Sequence, residues 1–328
     1  MSRRALSGAA GVAVTALFLW LALRHVEFAK LREALAEARW GWLIPMAAIS
    51  LFDLLVRAAR WRVLLARARP APAPVWDLLK LEAIGLAVNN VLFLRLGELA
   101  RAGLAARKLG IPVAAALASV AIERALDVAA LLSIFLGASA LVPGIVPPAV
   151  SRGAALLLSA AVGALVVLAA AESSLAKGGL LERFLRRWPK LHSFVEQLAL
   201  GAAVLRSPSA AAQAAALSLA LWTVDAALYW AGAFTLGLQD VMDFPRAILT
   251  LSWAGAASAL PAAPGSIGTF EASVASVVGK FGAAPHAALA YAMLTHMLMY
   301  LVVTITGLFF LSREGVSLAS LREEAGKK

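Results

Sequence analysis

Apolar runs of about 20 residues follow one another along this chain, separated by short clusters rich in arginine and lysine. Each run is long enough to cross ~30 Å of hydrocarbon as a helix. Lipid offers no partner for backbone N–H and C=O groups, so a spanning segment is either a helix or a strand of a closed barrel. Strand-like alternation is absent, and Ala and Leu dominate the runs, which selects helices. With 62% apolar residues and a mean hydropathy of +0.83, the chain reads as an all-α integral membrane protein. It has no cysteine, which excludes disulfides, thiolate metal sites and cysteine nucleophiles.

About six full transmembrane helices are expected, at 5–23, 41–60, 113–141, 150–171, 211–236 and 286–311. Two further apolar segments, 75–108 and 245–283, are interrupted by polar and helix-breaking residues. The net charge of +11 orients the spans, because basic residues accumulate in cytoplasmic loops; it is read as topology and not as nucleic-acid binding. Arg57, Arg60, Arg62, Arg67 and Arg69 form one cluster, and Arg95, Arg101, Arg107 and Lys108 a second, against Glu98. A third occupies the connector 172–210, whose basic and apolar residues suit an amphipathic helix on the cytoplasmic leaflet. The segment 24–40 suits an interfacial helix with Phe28, Leu31, Leu35 and Ala38 on its apolar side. All three basic clusters stay inside only if 75–108 dips into the membrane and returns. By the same logic 245–283 dips from the outside. Two re-entrant helical hairpins entering from opposite faces are therefore expected, with both chain termini cytoplasmic; eight full crossings is the alternative.

The order span, dip, span occurs twice, over 41–141 and 211–311, within a single polytopic domain covering 1–328. The AALA of 115–118 matches that of 287–290, and each first span holds one aspartate, Asp53 or Asp225. The assigned topology gives the copies opposite orientations, an inverted repeat of the kind transporters use.

Charges at membrane depth are costly unless paired or hydrated, so they face a bundle interior or a cavity. Asp53 and Arg57 lie at i,i+4 and can pair within one helix. Glu123 and Asp127 share a helix face with Arg124 one step round. Glu98 and Arg101 lie beside the first break, with Asn89 and Asn90 before it. Asp225, Glu271 and His296 complete the set. In LPAAPGSIGTFE, Ser266 or Thr269 is expected to cap a helix starting near Phe270, with Glu271 in its first turn. That helix N-terminus, with Arg95 and Arg101 from the opposite hairpin, would suit an anionic headgroup.

Three elements carry a resemblance: Arg95, Gly97, Glu98 and Arg101; then Glu123, Arg124 and Asp127; then Pro264, Gly265, Gly268 and Glu271. Their order and spacing resemble the flippase-like membrane domain of the lysylphosphatidylglycerol synthase family over nearly the whole chain. Similar proteins usually carry a proline two residues before the first arginine, where this chain has Phe93, so the first break is expected to rely on Asn89, Asn90 and Gly97. The resemblance implies a domain that moves lipid between leaflets, in the stand-alone form without the soluble aminoacyl-transferase domain that some members carry.

The reading is thus a lipid translocase of a bacterial-type cytoplasmic membrane, acting on lipids with a charged headgroup. A homo-oligomer or a lipid-synthesising partner enzyme is left open. An ion- or proton-coupled solute carrier and a non-transporting scaffold of a lipid or glycan pathway are the alternatives. No ATP-binding GxxxxGK[ST] loop is present. Catalysis is not expected, since Ser258, Ser266, His286 and His296 sit in no Gly-x-Ser-x-Gly element. No cofactor is expected and no metal, because His286 and His296 are too far apart for adjacent helical turns.

Overall fold

The computed structural model describes residues 26–66, 71–92, 96–170, 203–258 and 264–314, with 171–176 as backbone and a few isolated positions besides. Among these the regular structure is helical throughout, in ten α-helices: α1 Phe28–Ala36, α2 Leu43–Leu64, α3 Val75–Val91, α4 Gly97–Leu109, α5 Val113–Leu141, α6 Pro148–Ala176, α7 Pro208–Thr235, α8 Phe244–Ser258, α9 Thr269–Lys280 and α10 Pro285–Arg313. Prolines punctuate the starts. Pro148, Pro208 and Pro285 open α6, α7 and α10, and Pro74 and Pro112 immediately precede α3 and α5, where a missing N–H costs no helical bond. Ser207 caps α7 by accepting from the Ala210 N–H, and Gly110, at φ +66°, ends α4 in the left-handed conformation.

Among the described residues, four stretches are long and apolar enough to cross a membrane: Trp40–Leu64, Pro148–Ala170, Pro208–Thr235 and Pro285–Arg313. The protein is a multi-pass helical membrane protein. Helix α5 spans 29 residues, about 43 Å at 1.5 Å per residue, but Glu123, Arg124 and Asp127 interrupt its apolar character. Most of the expected first span, 5–23, and most of the connector 172–210 lie outside the described residues. So does the segment 93–95 between α3 and α4.

Two cores form, each built mainly from one half of the chain and completed by the other, by Ala214 and Leu311 in the first and Met46 in the second. Leu54, Trp61, Leu64, Leu81, Ile84, Ala105 and Ile122 cluster among α2 to α5, and Tyr229, Leu251, Phe270, Val274 and Tyr291 among α7 to α10. The contacts between helices occur in matched pairs. Helix α2 packs on α7. Helix α3 packs on α10, as α8 packs on α5; α2 meets α10, as α7 meets α5. Within the halves, α2–α3, α3–α4 and α4–α5 correspond to α7–α8, α8–α9 and α9–α10. Exchanging the two halves therefore maps this packing onto itself. Helix α6 lies outside the scheme against α5, with only 6% of its apolar window buried.

The segment 24–40 contains helix α1, whose apolar side packs in part against α10. Leu31 is buried with Leu289 and Ala290 of α10, Ala38 is buried and Leu35 half-buried, while Phe28 alone of the four stays exposed.

Candidate functional site

One helical face of α2 starts the site. In LFDLLVRAARW, Asp53, Arg57, Arg60 and Trp61 fall at i, i+4, i+7 and i+8, so all four point inward together. The Arg57 Nε donates to Asp53 Oδ2 at 2.6 Å, and its second arm reaches Asp225 Oδ2 of α7 at 3.3 Å. Arg60 is fully buried. It binds Asp127 of α5, donates to Ser218 Oγ of α7 at 3.1 Å and lies 3.3 Å from Glu123 Oε1.

Glu123 is the hub, with no solvent exposure. It also accepts from Arg101 of α4 at 2.7 Å and from Arg124 at 2.6 Å. Arg101 binds Glu82 of α3 as well, and its guanidinium lies over the Trp61 ring, 4.8 Å from the centroid. The Trp61 indole N–H donates to Ser119 Oγ at 3.0 Å, which holds that ring in place. Asp127 takes a further contact from Arg124 at 3.1 Å and accepts from the Trp222 indole at 3.2 Å. Six acids and four arginines on five helices of both halves thus fall into two neighbouring groups, Asp53–Arg57–Asp225 and a seven-member network of Glu82, Glu98, Glu123, Asp127, Arg60, Arg101 and Arg124. Its interior members are buried or nearly so. Only Arg124 and Glu98, 3.8 Å apart, are open, their side chains 42% and 29% exposed.

The first break is held by close backbone approach. The Gly97 N–H donates to Asn89 Oδ1 at 2.8 Å, and a Cβ on Gly97 would lie 1.9 Å from the Gly85 carbonyl oxygen. Only glycine lets α4 return so tightly along α3. At the second break Gly265, Ser266 and Gly268 all take positive φ, and α9 begins at Thr269. The Glu271 carboxylate accepts from the Gly268 N–H at 2.6 Å and contacts His296 Nδ1 of α10 at 2.6 Å. The His296 ring stacks on Phe270 at 4.0 Å, with Tyr300 edge-on. The breaks meet across α10: the Tyr300 ring packs on Gly265, its hydroxyl donates to the Asn90 carbonyl at 3.3 Å, and Asn90 Nδ2 donates to Thr304 Oγ1 at 2.9 Å.

Several expectations change. Neither Ser266 nor Thr269 caps α9: the Thr269 hydroxyl donates to the Ser266 carbonyl, and Glu271 instead fills the helix N-terminus with its own carboxylate. Arg101 does not join that terminus, because Glu82 and Glu123 already hold it; Arg95 and Pro264's side chain lie outside the described residues. Arg57 and Arg60 are not loop charges; they face inward and are neutralised there, so among the described residues of that cluster only Arg62 stays exposed. The sequence reading also missed Arg60, Glu82, Trp61 and Tyr300 as site residues. For Arg60 the signal was present: its helical phase matches Asp53 and not Arg62.

The family model described as the lysylphosphatidylglycerol synthase TM region matches residues 8–307. No curated protein and no solved structure gives a significant match.

Proposed function

Since the chain belongs to the lysylphosphatidylglycerol synthase TM-region family, we propose that it is a lipid translocase of the cytoplasmic membrane, moving a phospholipid or other lipid with a charged headgroup between leaflets. The observation that carries this reading is the accessible Arg124–Glu98 end of an otherwise buried seven-member charge network. A headgroup crossing a bilayer needs polar contacts beside a greasy surface. Arg124, anchored by Glu123 and Asp127, offers the positive charge of its part-exposed guanidinium to a phosphate, and Glu98 an acceptor for an ammonium or hydroxyl. The lipid leaves as it entered, without a chemical step.

In this reading the helix–break–helix units α3–α4 and α8–α9 are the two re-entrant hairpins, and the exchange symmetry of the packing supports an inverted repeat. The breaks meeting at Tyr300 then lie where the halves rock against each other. The test is reconstitution of wild type, Arg124→Ala and Glu98→Gln in liposomes containing fluorescent phospholipids, aminoacylated phospholipids or polyprenyl phosphates. Both variants are expected to lose leaflet exchange of one lipid class while keeping the helical circular-dichroism spectrum of wild type. Wild-type rates in both would overturn the proposal.

A further inference from the structure

Each charge group carries one acid more than base: Asp53 and Asp225 against Arg57, and Glu82, Glu98, Glu123 and Asp127 against Arg60, Arg101 and Arg124; the larger group includes the part-exposed Glu98, whereas every member of the smaller is buried. Arg57 is the single cation between two carboxylates, Asp53 at 2.6 Å and Asp225 at 3.3 Å. Side chains of all three are about nine-tenths buried. Beyond the triad, Arg60 of α2 and Asp127 of α5 act electrostatically on both carboxylates, and that arginine is already bound to Asp127 and Glu123. Other buried titratable groups on the helices packed with α2 and α7 are Glu82 on α3, Tyr229 on α7, and Tyr291 and His296 on α10. Glu82 is bound to Arg101, His296 contacts Glu271, and the Tyr291 hydroxyl donates to the Tyr229 carbonyl. Helix α8 carries only Arg246, which pairs with Asp243. None of them supplies the missing positive charge. Asp53 Oδ1 is buried with no hydrogen-bond partner, an open valence inside the triad.

Position adds the second argument. Asp53 and Asp225 belong to α2 and α7, the helices that exchange places when the halves are exchanged. Arg57 therefore bridges corresponding acids of the two halves at their seam. Any sliding of α7 on α2 must change how Arg57 divides itself between them.

From this geometry we infer that the Asp53–Arg57–Asp225 triad is a proton-binding site that takes up one proton, and that its proton crosses with or against each lipid. The proton sits on a carboxyl of the triad, enters from one compartment and leaves to the other as the seam shifts; no other co-reactant is required. The coupling rests on the translocase reading above, whereas proton binding does not.

Two measurements separate the claims. Infrared difference spectra of the purified protein at neutral pH should show a protonated-carboxyl band that shifts in heavy water and disappears in Asp225→Asn. If the asparagine variant does not fold, Asp225→Glu should move the band instead. Absence of that band from wild type would overturn the proton site whatever the transport result. In liposomes, one proton per lipid lets a pH difference of one unit hold up to about a tenfold leaflet ratio of the transported lipid. Asp225→Asn should reduce that ratio to the ungraded one. Lipid exchange that ignores the gradient would overturn the coupling and leave translocation standing; absence of all exchange would sink translocation, and the band would still decide the site.

Discussion

Arg60 is the most exacting place to test the charge network. It is fully buried and touches Asp127, Glu123 and Ser218. Arg60→Leu fills the space with an apolar chain but removes a cation from between two buried carboxylates. Glu123 keeps Arg101 and Arg124, so most of the cost falls on Asp127, left with Arg124 at 3.1 Å and the Trp222 indole at 3.2 Å. Breaking a buried pair on one side costs about 3–5 kcal/mol, because the remaining charge is stranded, whereas replacing both partners by apolar residues is often nearly neutral. Arg60→Leu and Asp127→Leu should therefore each destabilise by about 3–5 kcal/mol, and the double variant by clearly less than their sum, a coupling of at least ~2 kcal/mol. Unfolding in mixed detergent micelles followed by circular dichroism gives the three values. Exposed Arg62→Leu serves as control and should stay within ~0.5 kcal/mol of wild type. Additive singles, or an Arg60→Leu protein as stable as wild type, would refute the claim that these charges depend on one another.

Other consequences follow from single contacts. Gly97→Ala drives a Cβ to 1.9 Å from the Gly85 carbonyl and Gly307→Ala one to 2.1 Å from the Ala83 carbonyl, so both should abolish folded protein on size-exclusion chromatography. Gly163→Ala, with open space around it, should be neutral or stabilising by up to ~1 kcal/mol. Glu271→Ala removes both the α9 cap and the His296 contact and should cost about 1–3 kcal/mol; Glu271→Gln, which keeps an acceptor for the Gly268 N–H, should cost less, read by the same unfolding assay. At the outer ends of α3, α4 and α10, burial of Lys108 is outweighed by its bonds to Glu314 and Asp77, which raise its pKa. That contribution is present below the ordinary lysine range and is lost as pH rises through the higher folded value. Lys108→Met should thus cost under ~1 kcal/mol at neutral pH, and the difference from wild type should vanish in strongly alkaline buffer.

Helices were legible because lipid leaves the backbone no alternative, and prolines and glycines mark their ends: α5 occupies the expected 113–141, and α3 and α4, like α8 and α9, fall either side of the expected breaks. The Asp53–Arg57 pair was readable from i,i+4 spacing alone. Partners across helices were not. That Arg101 binds Glu82 and Glu123, or that Arg57 reaches Asp225, depends on which helices touch, and one sequence does not contain that. Arg57 and Arg60 were grouped with Arg62 because counting charge along a segment ignores the angle at which each leaves the helix. The α9 terminus failed for a different reason. Serine and threonine are the usual caps, but the N-cap position falls on Gly268, and the glutamate at the third helical position reaches back to that residue's N–H while contacting His296.

The most direct test of the account is leaflet exchange by the wild-type protein itself. Liposomes holding one fluorescent lipid class at a time would be treated with a membrane-impermeant quencher, with and without protein. The account predicts that protein exposes the inner-leaflet pool of at least one charged lipid class to the quencher, at a rate proportional to protein content. Inner-leaflet pools that stay protected for every class, with protein shown to be folded and inserted, would contradict it.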